Sequence, residues 1–578
     1  MKLVPTAALA ALAALPAAAD EGMWTFDNPP AAAIEQQYGV KLDSAWLDHL
    51  REATVRLETG CTGSFISGDG LILTNHHCAE DCIAQNSSEG KDLVATGYLA
   101  GSREKELRCE EDAVSVLVGT EDVTAQVAAA LEGIAPENVV ETRRAALTKL
   151  EQSCEEASKG SKGGPLKCER VSLYQGGQHW LYKYRRYEDV RLVFAPERDI
   201  AAFGGDPDNF QFPRWCLDMS ILRAYDGGKP AKTPTHLSFD WDGAEPGDPV
   251  FVSGHPGNTD RLLTTAQLAL QRDSFMPFWL LRYSELRGRM IQYSKTGEEP
   301  RRTAESYLNS VENSIKVRRK QFDALLDPAL IENATRQETA LRDAVAAMPA
   351  LAYATGAWDQ IAKAQDAWRN ILVPHSFIEG AAAFNSQLFS HARTLVRAAA
   401  ERAQPNEDRL PEYTEARLPA VVQGLSADAP IYPDFEVLRL SFGLERMREW
   451  LGPDDPMVRQ VFGKDSPDTL ANRLVRQSTL GNAAARMALY EGGQAAIDAS
   501  QDPMIRLAAD VDPRARELRK IFETQVEGPV ARGQEAIAKA RFAEYGTSTH
   551  PDATFTLRLS YGAMKGWVEK GEEVRPWT

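Results

Sequence analysis

The 578-residue chain is predicted to fold as a β domain interrupted by a large all-helical insertion. Residues 24–267 contain short strand candidates bounded by Gly and Pro, residues 272–545 have amphipathic helical periodicity, and residues 553–562 alternate with the period of a strand. A lone strand at the end of a helical domain would leave unpaired edges. We therefore expect it to return to the first sheets, although a separate helical domain is the alternative.

Individual elements follow from local periodicity. Strands are predicted at 190–194, 219–225 and 249–252, and one helical excursion is predicted within the β part, at 121–154. Helices are predicted at 311–325, 384–402 and 518–542, the last with a kink at Gly528-Pro529. The expected division is therefore a leader at 1–19, the first part of the β domain at 20–271, the helical insertion at 272–545 and the returning segment at 546–578.

The first 19 residues have the anatomy of an export signal. Lys2 is followed by an apolar stretch over 3–15 and by the small residues Ala17–Ala19, so cleavage would leave Asp20 as the first residue. The apolar stretch is too short to span a membrane, and no later uninterrupted apolar run reaches 18 residues. The sequence predicts an exported protein of the periplasm or outer surface, with no membrane span.

Net charge and cysteine content restrict the class of protein further. A net charge of −17 argues against a nucleic-acid partner. In an exported chain, cysteines indicate disulfides. All seven lie in the first 216 residues: Cys61, Cys78, Cys82, Cys109, Cys154, Cys168 and Cys216. Cys61–Cys78 and Cys154–Cys168 are the preferred pairs and Cys82–Cys109 a further one, which leaves Cys216 as the odd thiol.

His77 is the candidate general base. A strand from Cys61, a turn at 68–70 and a second apolar strand deliver it at a strand end, and Cys78 directly after it can pair back to Cys61. A zinc site over residues 76–82 is the alternative, but ligands so close together are too crowded for tetrahedral coordination. No metal and no cofactor is predicted.

Asp218 is the candidate carboxylate that would orient this histidine. It precedes an apolar strand, so it can face a cleft while the strand packs inside, and the order of His before Asp matches a catalytic triad of the chymotrypsin type. An aspartate before a strand is more commonly a turn or cap residue. The upstream histidine is what favours a catalytic role.

Several longer motifs resemble those of a known protein family. The chain resembles the bacterial dipeptidyl-peptidase 7/11 family over nearly its whole length after the leader. The similar segments are TNHHC at 74–78, DVRLVFAPE at 189–197, FGGDPDNF at 203–210, PR at 213–214, GHPGNTDR at 254–261 and PDATFTLRL at 551–559.

The resemblance implies a chymotrypsin-like double β-barrel with an inserted helical domain that caps the cleft. It implies an exported, homodimeric serine peptidase that removes dipeptides from peptides with a free N-terminus. By position, His77 would be the base and Asp218 its partner. Asn209, beside Phe210, would hold the substrate's α-amino group with help from Asn313, whose alternative interpretation is an exposed helix asparagine.

The sequence departs from that family at three places. Phe210 stands where a tryptophan is usual, and residues 215–217 replace more polar ones. No Gly-flanked serine turn follows the return strand, so the second barrel is expected to be incomplete. Ser64, Ser253 and Ser560 lack the flanking glycines of a strained nucleophile turn.

Two hypotheses follow for function. The first is a serine dipeptidyl-peptidase whose printed chain lacks its nucleophile, and which is therefore expected to be inactive and aggregation-prone. The second is a non-catalytic relative that binds peptide N-termini. An ordinary exported structural protein is a third, blander alternative.

Overall fold

Strands occupy the first part and the tail of the chain, and helices fill the stretch between them. The computed structural model describes residues 22–135, 138–160, 164–201, 216–546, 550–569 and 571–577. The leader at 1–19 and the site candidates Asn209 and Phe210 lie outside these residues. Within them, none of the helices has the length and apolar composition needed to cross a membrane.

Eleven strands of the described chain form one antiparallel sheet. They are β1 Thr54–Leu57, β2 Cys61–Phe65, β3 Leu71–Thr74, β4 Tyr98–Leu99, β5 Leu107–Arg108, β6 Val114–Asp122, β7 Lys167–Leu173, β8 Gln178–Tyr187, β9 Asp189–Ala195, β10 Ser220–Asp226 and β11 Lys229–Pro230. Their order is β4-β9-β10-β3-β2-β1-β6-β8-β7, with β11 on β10 and β5 on β9. The predicted strands at 190–194 and 219–225 are confirmed as β9 and β10.

Seven helices, one of them 20 residues long, occupy the same part of the described chain. They are α1 Ala31–Tyr38, α2 Ser44–Ala53, α3 His76–Gln85, α4 Leu93–Thr96, α5 Thr124–Ala130, α6 Val139–Ser158 and α7 Arg198–Ala201. The single helix predicted over 121–154 is wrong. Strand β6 runs through Asp122, and Gly133, at φ 73°, follows the first helical segment, so two helices share the stretch.

Helices dominate from residue 265 to residue 545. They are α8 Thr265–Leu270, α9 Met276–Ser294, α10 Glu298–Leu326, α11 Pro328–Ala347, α12 Ala357–Pro374, α13 Gln387–Glu401, α14 Leu418–Ser426, α15 Pro433–Leu451, α16 Pro456–Phe462, α17 Pro467–Gln477, α18 Ala483–Ala499, α19 Pro503–Phe522 and α20 Gly528–Tyr545. A π-helical turn at Glu523–Glu527 separates the last two, next to the predicted kink. Proline is tolerated at Pro529 because it lies in the first turn of α20.

The tail returns to a strand that precedes the helices. Strand β12 Pro249–Gly254 pairs antiparallel with β13 Arg558–Ala563, and a hairpin of β14 Trp567–Glu569 and β15 Glu572–Val574 follows. The strand predicted at 249–252 is therefore confirmed, and the tail strand does pair back across the helical stretch. It is shorter than the predicted 553–562, because Phe555 adopts φ 56° and interrupts the extended backbone.

The sheet and the helical stretch each contain a large hydrophobic cluster. The sheet buries aliphatic side chains such as Val55, Ile72 and Leu222 against α3, whereas the helical stretch packs around aromatic residues such as Phe377 and Phe389. Burial of this kind contributes roughly 25 cal/mol for each Å² of apolar surface. The end of β3 and the start of β10, which lie next to the candidate site, therefore belong to a well-packed sheet.

Candidate active site

The sheet register brings His77 to Asp218. Strand β3 ends at Thr74, strand β10 begins at Ser220, and these two residues are paired in the antiparallel ladder. The residues just beyond each strand end therefore meet at one edge of the sheet. His77 Nδ1 lies 2.8 Å from Asp218 Oδ2, so the two side chains that the sequence predicts to converge are within hydrogen-bond distance.

Backbone and amide donors hold the carboxylate in place. The His77 N–H donates to Asp218 Oδ1 at 3.1 Å, and the Asn75 side-chain amide donates to Asp218 Oδ2 at 3.3 Å and to its main-chain carbonyl at 3.0 Å. The Asp218 side chain is 14% exposed, whereas that of His77 is 61% exposed. A shielded carboxylate bound to one ring nitrogen orients the imidazole, with Nε2 on the opposite side of the ring.

The neighbouring histidine has a different environment. His76, the first residue of α3, is buried, and burial lowers the pKa of its imidazole, although the nearby Asp218 opposes this. A buried imidazole whose protonated form is disfavoured is a packing residue rather than a proton carrier at the surface. The structure therefore separates the two histidines, which the sequence alone places side by side.

Disulfides fasten α3 to its surroundings. Cys61–Cys78 joins the start of β2 to the first turn of α3, and Cys82–Cys109 joins its last turn to the segment after β5. Both pairs are confirmed, as is Cys154–Cys168, and Cys216 is the free thiol among the described cysteines. The sulfurs nearest His77 are thus engaged in a disulfide and are not thiolate ligands for a metal.

A cleft of about 840 Å³ opens in front of His77. The β part contributes His77 and Asp218 to its walls, and the helical stretch contributes Asn313 and Tyr307 from α10. The predicted amine-binding Asn313 therefore faces the same cleft as the histidine, although 236 residues separate them in sequence.

Contacts across the cleft were not foreseen from the sequence. Asn309 of α10 donates its amide to Glu80 of α3 at 3.0 Å, and Ser306 donates to Asp81 at 2.8 Å. Burial raises the pKa of Glu80, and the hydrogen bond from Asn309 opposes that rise. The only available signal was the helical spacing of polar residues on one face of each helix.

The serines singled out from the sequence lie away from this cleft. Ser64 is in β2, Ser253 Oγ is 2.7 Å from Thr54 Oγ1, and Ser560 donates to the Gly22 carbonyl at 2.8 Å. None of the three is among the cleft-lining residues that the structure describes. These three hydroxyls therefore lie outside the cleft that His77 lines.

Sequence comparison places the chain among known peptidases. The sequence model of the family described as Peptidase S46 matches residues 19–578. An Asp/Glu-specific dipeptidyl-peptidase of Shewanella putrefaciens is 26% identical over 96% of this chain and 77% of its own length. Dipeptidyl-peptidase 7 of Phocaeicola vulgatus is 32% identical over 45% of this chain and 39% of its own length.

Solved structures agree in fold. Porphyromonas endodontalis DPP11 in complex with the dipeptide Arg-Glu superimposes with a TM-score of 0.73, at 23% identity, over 96% of this chain and 82% of that one. The same enzyme in complex with Arg-Asp gives the same TM-score at 22% identity. The mixed α/β architecture with a large helical region is shared.

Proposed function

The chain belongs to the Peptidase S46 family, and from this premise we propose that it is a serine-type dipeptidyl-peptidase, a hydrolase that releases dipeptides from the free N-termini of peptides. One observation carries the proposal. The hydrogen bond between His77 and Asp218 stands in a cleft that Asn313 also lines. A base with its orienting carboxylate and an amide that can bind an ammonium group thus face one space.

In this proposal His77 acts as general base and Asp218 as its orienting partner. Nε2 accepts the proton of the attacking hydroxyl and returns it to the leaving amine, while the carboxylate stabilises the imidazolium that forms between the two steps. No serine among the described residues is assigned as the nucleophile.

Asn313 and Asn209 are proposed to hold the substrate's α-amino group, with Phe210 as an aromatic wall beside it. An ammonium group that leaves water needs oxygen acceptors to replace its hydration, and the amide carbonyl of asparagine provides one. An exopeptidase has to recognise this charged terminus, because nothing else marks the end of a chain.

The proposal also covers the domain organisation of the chain and its cellular location. We propose that the β parts, 20–271 and 546–578, form a chymotrypsin-like double barrel and that 272–545 is its helical cap. Residues 1–19 would direct export to the periplasm or outer surface, and the working unit would be a homodimer. The pairing of β12 with β13 across the helical stretch supports the division.

A peptide-binding relative without turnover is the second candidate. It would have the same amine-binding residues and the same pair of His77 and Asp218. The two candidates differ only in whether bound peptide is cleaved.

Binding and release of one peptide pair test both candidates. A chromogenic dipeptide substrate with a free N-terminus and its acetylated twin are titrated into the purified 578-residue chain by calorimetry, and release is followed by absorbance. We expect the free amine to bind roughly 10- to 100-fold more tightly, the range of hydrogen bonds to a charged group. The enzyme predicts release of the dipeptide from the free-amine substrate, whereas the peptide-binding relative predicts none.

Two variants sharpen the result. Release that disappears in His77→Ala and persists in His49→Ala, an exposed histidine of α2, would support the enzyme over the peptide-binding relative. Release that survives His77→Ala would remove His77 as the base. Equal affinities for the free and acetylated peptides would remove recognition of the N-terminus altogether.

A further inference from the structure

Helix α10 contacts the β part through one face. Glu305 forms an ion pair with Arg198 of α7, Ser306 donates to Asp81, and Asn309 donates to Glu80. Positions 305, 306 and 309 are spaced so that they share one side of a helix, and Asn313 follows one turn later on that side. The face that docks on the β part is therefore the face that leads to the proposed amine site.

Helix α3 is arranged in the same way. Glu80 and Asp81 lie three and four residues after His77, so they share its face of α3. Four residues of helix rise about 6 Å. The Glu80–Asn309 contact thus sits about one turn from His77 on α3 and one turn from Asn313 on α10, and the Asp81–Ser306 contact sits about one turn from His77 and two turns from Asn313.

Of these two contacts, the one made by Glu80 is the more sensitive to substitution, because Glu80 is the more buried carboxylate. Glu80 is 9% exposed, whereas Asp81 lies at the surface. A shielded hydrogen bond cannot be replaced by water when one partner is removed, so it holds its helices at one separation. Disulfides at both ends of α3 keep that helix from adjusting on its own.

We propose that the Glu80–Asn309 hydrogen bond, supported by Asp81–Ser306, is a molecular ruler that fixes the separation of His77 from Asn313 and so limits the product to two residues. This inference rests on the proposed function. Two residues of extended chain span about 7 Å. An α10 that shifts relative to α3 changes how many residues fit between the held amine and the bond beside His77. Glu80 and Asn309 are positioning residues, since they act through His77 and Asn313.

Alkylation of His77 by peptidyl chloromethyl ketones measures this separation without turnover. Nε2 attacks the methylene carbon, the new C–N bond forms, and chloride leaves. Reagents with one, two and three residues, each with a free N-terminus, are compared by the rate at which mass spectrometry detects label on His77. An acetylated two-residue reagent reports whether the free amine matters.

We expect the intact protein to react with the two-residue reagent about tenfold faster than with the shorter and longer ones, because misplacement of the reacting atoms by about 1 Å can slow a reaction by two orders of magnitude. In Glu80→Ala and Asn309→Ala this length preference should fall to about twofold or less. Glu80→Gln keeps a side-chain oxygen for Asn309 and should retain it. Lys320→Ala, an exposed change further along α10, is the control.

The outcomes distinguish failure of the proposed function from failure of the ruler. Equal labelling by the free and acetylated reagents would mean that the proposed function is wrong. Preference for the free two-residue reagent in the intact protein, kept unchanged in Glu80→Ala and Asn309→Ala, would overturn the ruler alone. A uniform slowing of all lengths would also overturn it, because that is what a merely structural role produces. Asn309→Ala changes a half-buried surface residue, so the test survives if Glu80→Ala fails to fold.

Discussion

The carboxyl group of Asp112 is buried near helix α3, which carries His77. It is 5% exposed, and no described residue bonds its Oδ2. Burial raises the pKa of Asp112 to about 7, and the nearby carboxylates of Asp81 and Glu111 add to that rise. The folded protein thus holds a proton there that the unfolded chain, with an ordinary pKa of about 4, releases.

Asp112 should therefore make the free energy of unfolding fall as pH rises. Between about pH 4 and pH 7 the folded state binds more protons, so stability declines by up to about 1.4 kcal/mol per pH unit and levels off above pH 7. Asp112→Asn cannot ionise. We expect its stability relative to the unchanged protein to increase from pH 5 to pH 8 in urea unfolding.

A matched change isolates this effect. Glu110→Gln removes one negative charge two residues away, at a more exposed position. If the difference between Asp112→Asn and the unchanged protein is the same at both pH values, burial of an ionisable Asp112 is not a determinant of stability.

Helix α3 is held by covalent bonds as well as packing. Its disulfides at Cys78 and Cys82, four residues apart on one face of the helix, join it to β2 and to the segment after β5. A short helix in which few residues are strong helix formers gains little from propensity alone. Its position, and that of His77, therefore depends on these cross-links.

Removing Cys61–Cys78 should affect both stability and the site. The pair closes a loop of 17 residues and Cys154–Cys168 one of 14, so either double change to alanine should cost about 3 kcal/mol. Only Cys61→Ala/Cys78→Ala should also weaken binding of the free-amine peptide. Urea unfolding and calorimetry on the two variants make the comparison, and equal losses of affinity would contradict it.

Across the molecule, Glu169 ties the sheet to the helices. Arg56 of β1 donates to both of its oxygens at 3.0 Å, and Arg417, just before α14, approaches to 3.4 Å. Burial would raise the pKa of Glu169, but Arg56 and Arg417 outweigh it and hold the pKa at about 2. The ionised form is thus favoured by folding.

Glu169 should make the protein sensitive to acid. A carboxylate with a lowered pKa stabilises the fold above its ordinary pKa of about 4.3 and loses that contribution as pH falls toward 2. Glu169→Gln should destabilise by about 3–5 kcal/mol at pH 7, since it leaves Arg56 without its main buried partner, and by much less near pH 2. Thermal unfolding at both pH values tests this.

The exposed pair of Arg369 and Asp366 is the reference for that experiment. Asp366→Asn should change stability by less than about 1 kcal/mol, as surface pairs do. If Glu169→Gln changes the free energy of unfolding as little as Asp366→Asn does, the link between sheet and helices does not contribute to stability.

Much of the fold could be predicted because it depends on neighbours in sequence. Turn chemistry at 68–70 and alternating apolar residues predict β2 and β3, and an export leader with closely spaced cysteines predicts the disulfides. Where local signals compete the prediction fails, as over 121–154, where helical spacing hides the end of β6. The positive φ of Phe555 likewise has no sequence signature.

The sequence alone determined which residues are candidates for the chemistry: His77 at a strand end, Asp218 before a strand and, through the family resemblance, Asn313 in a helix. Tertiary structure decided how they meet. The β3–β10 register sets His77 against Asp218, and the bonds from α10 to Glu80 and Asp81 span more than 220 residues. Such contacts depend on how whole surfaces pack, and periodicity along one segment carries no information about the surface it will face.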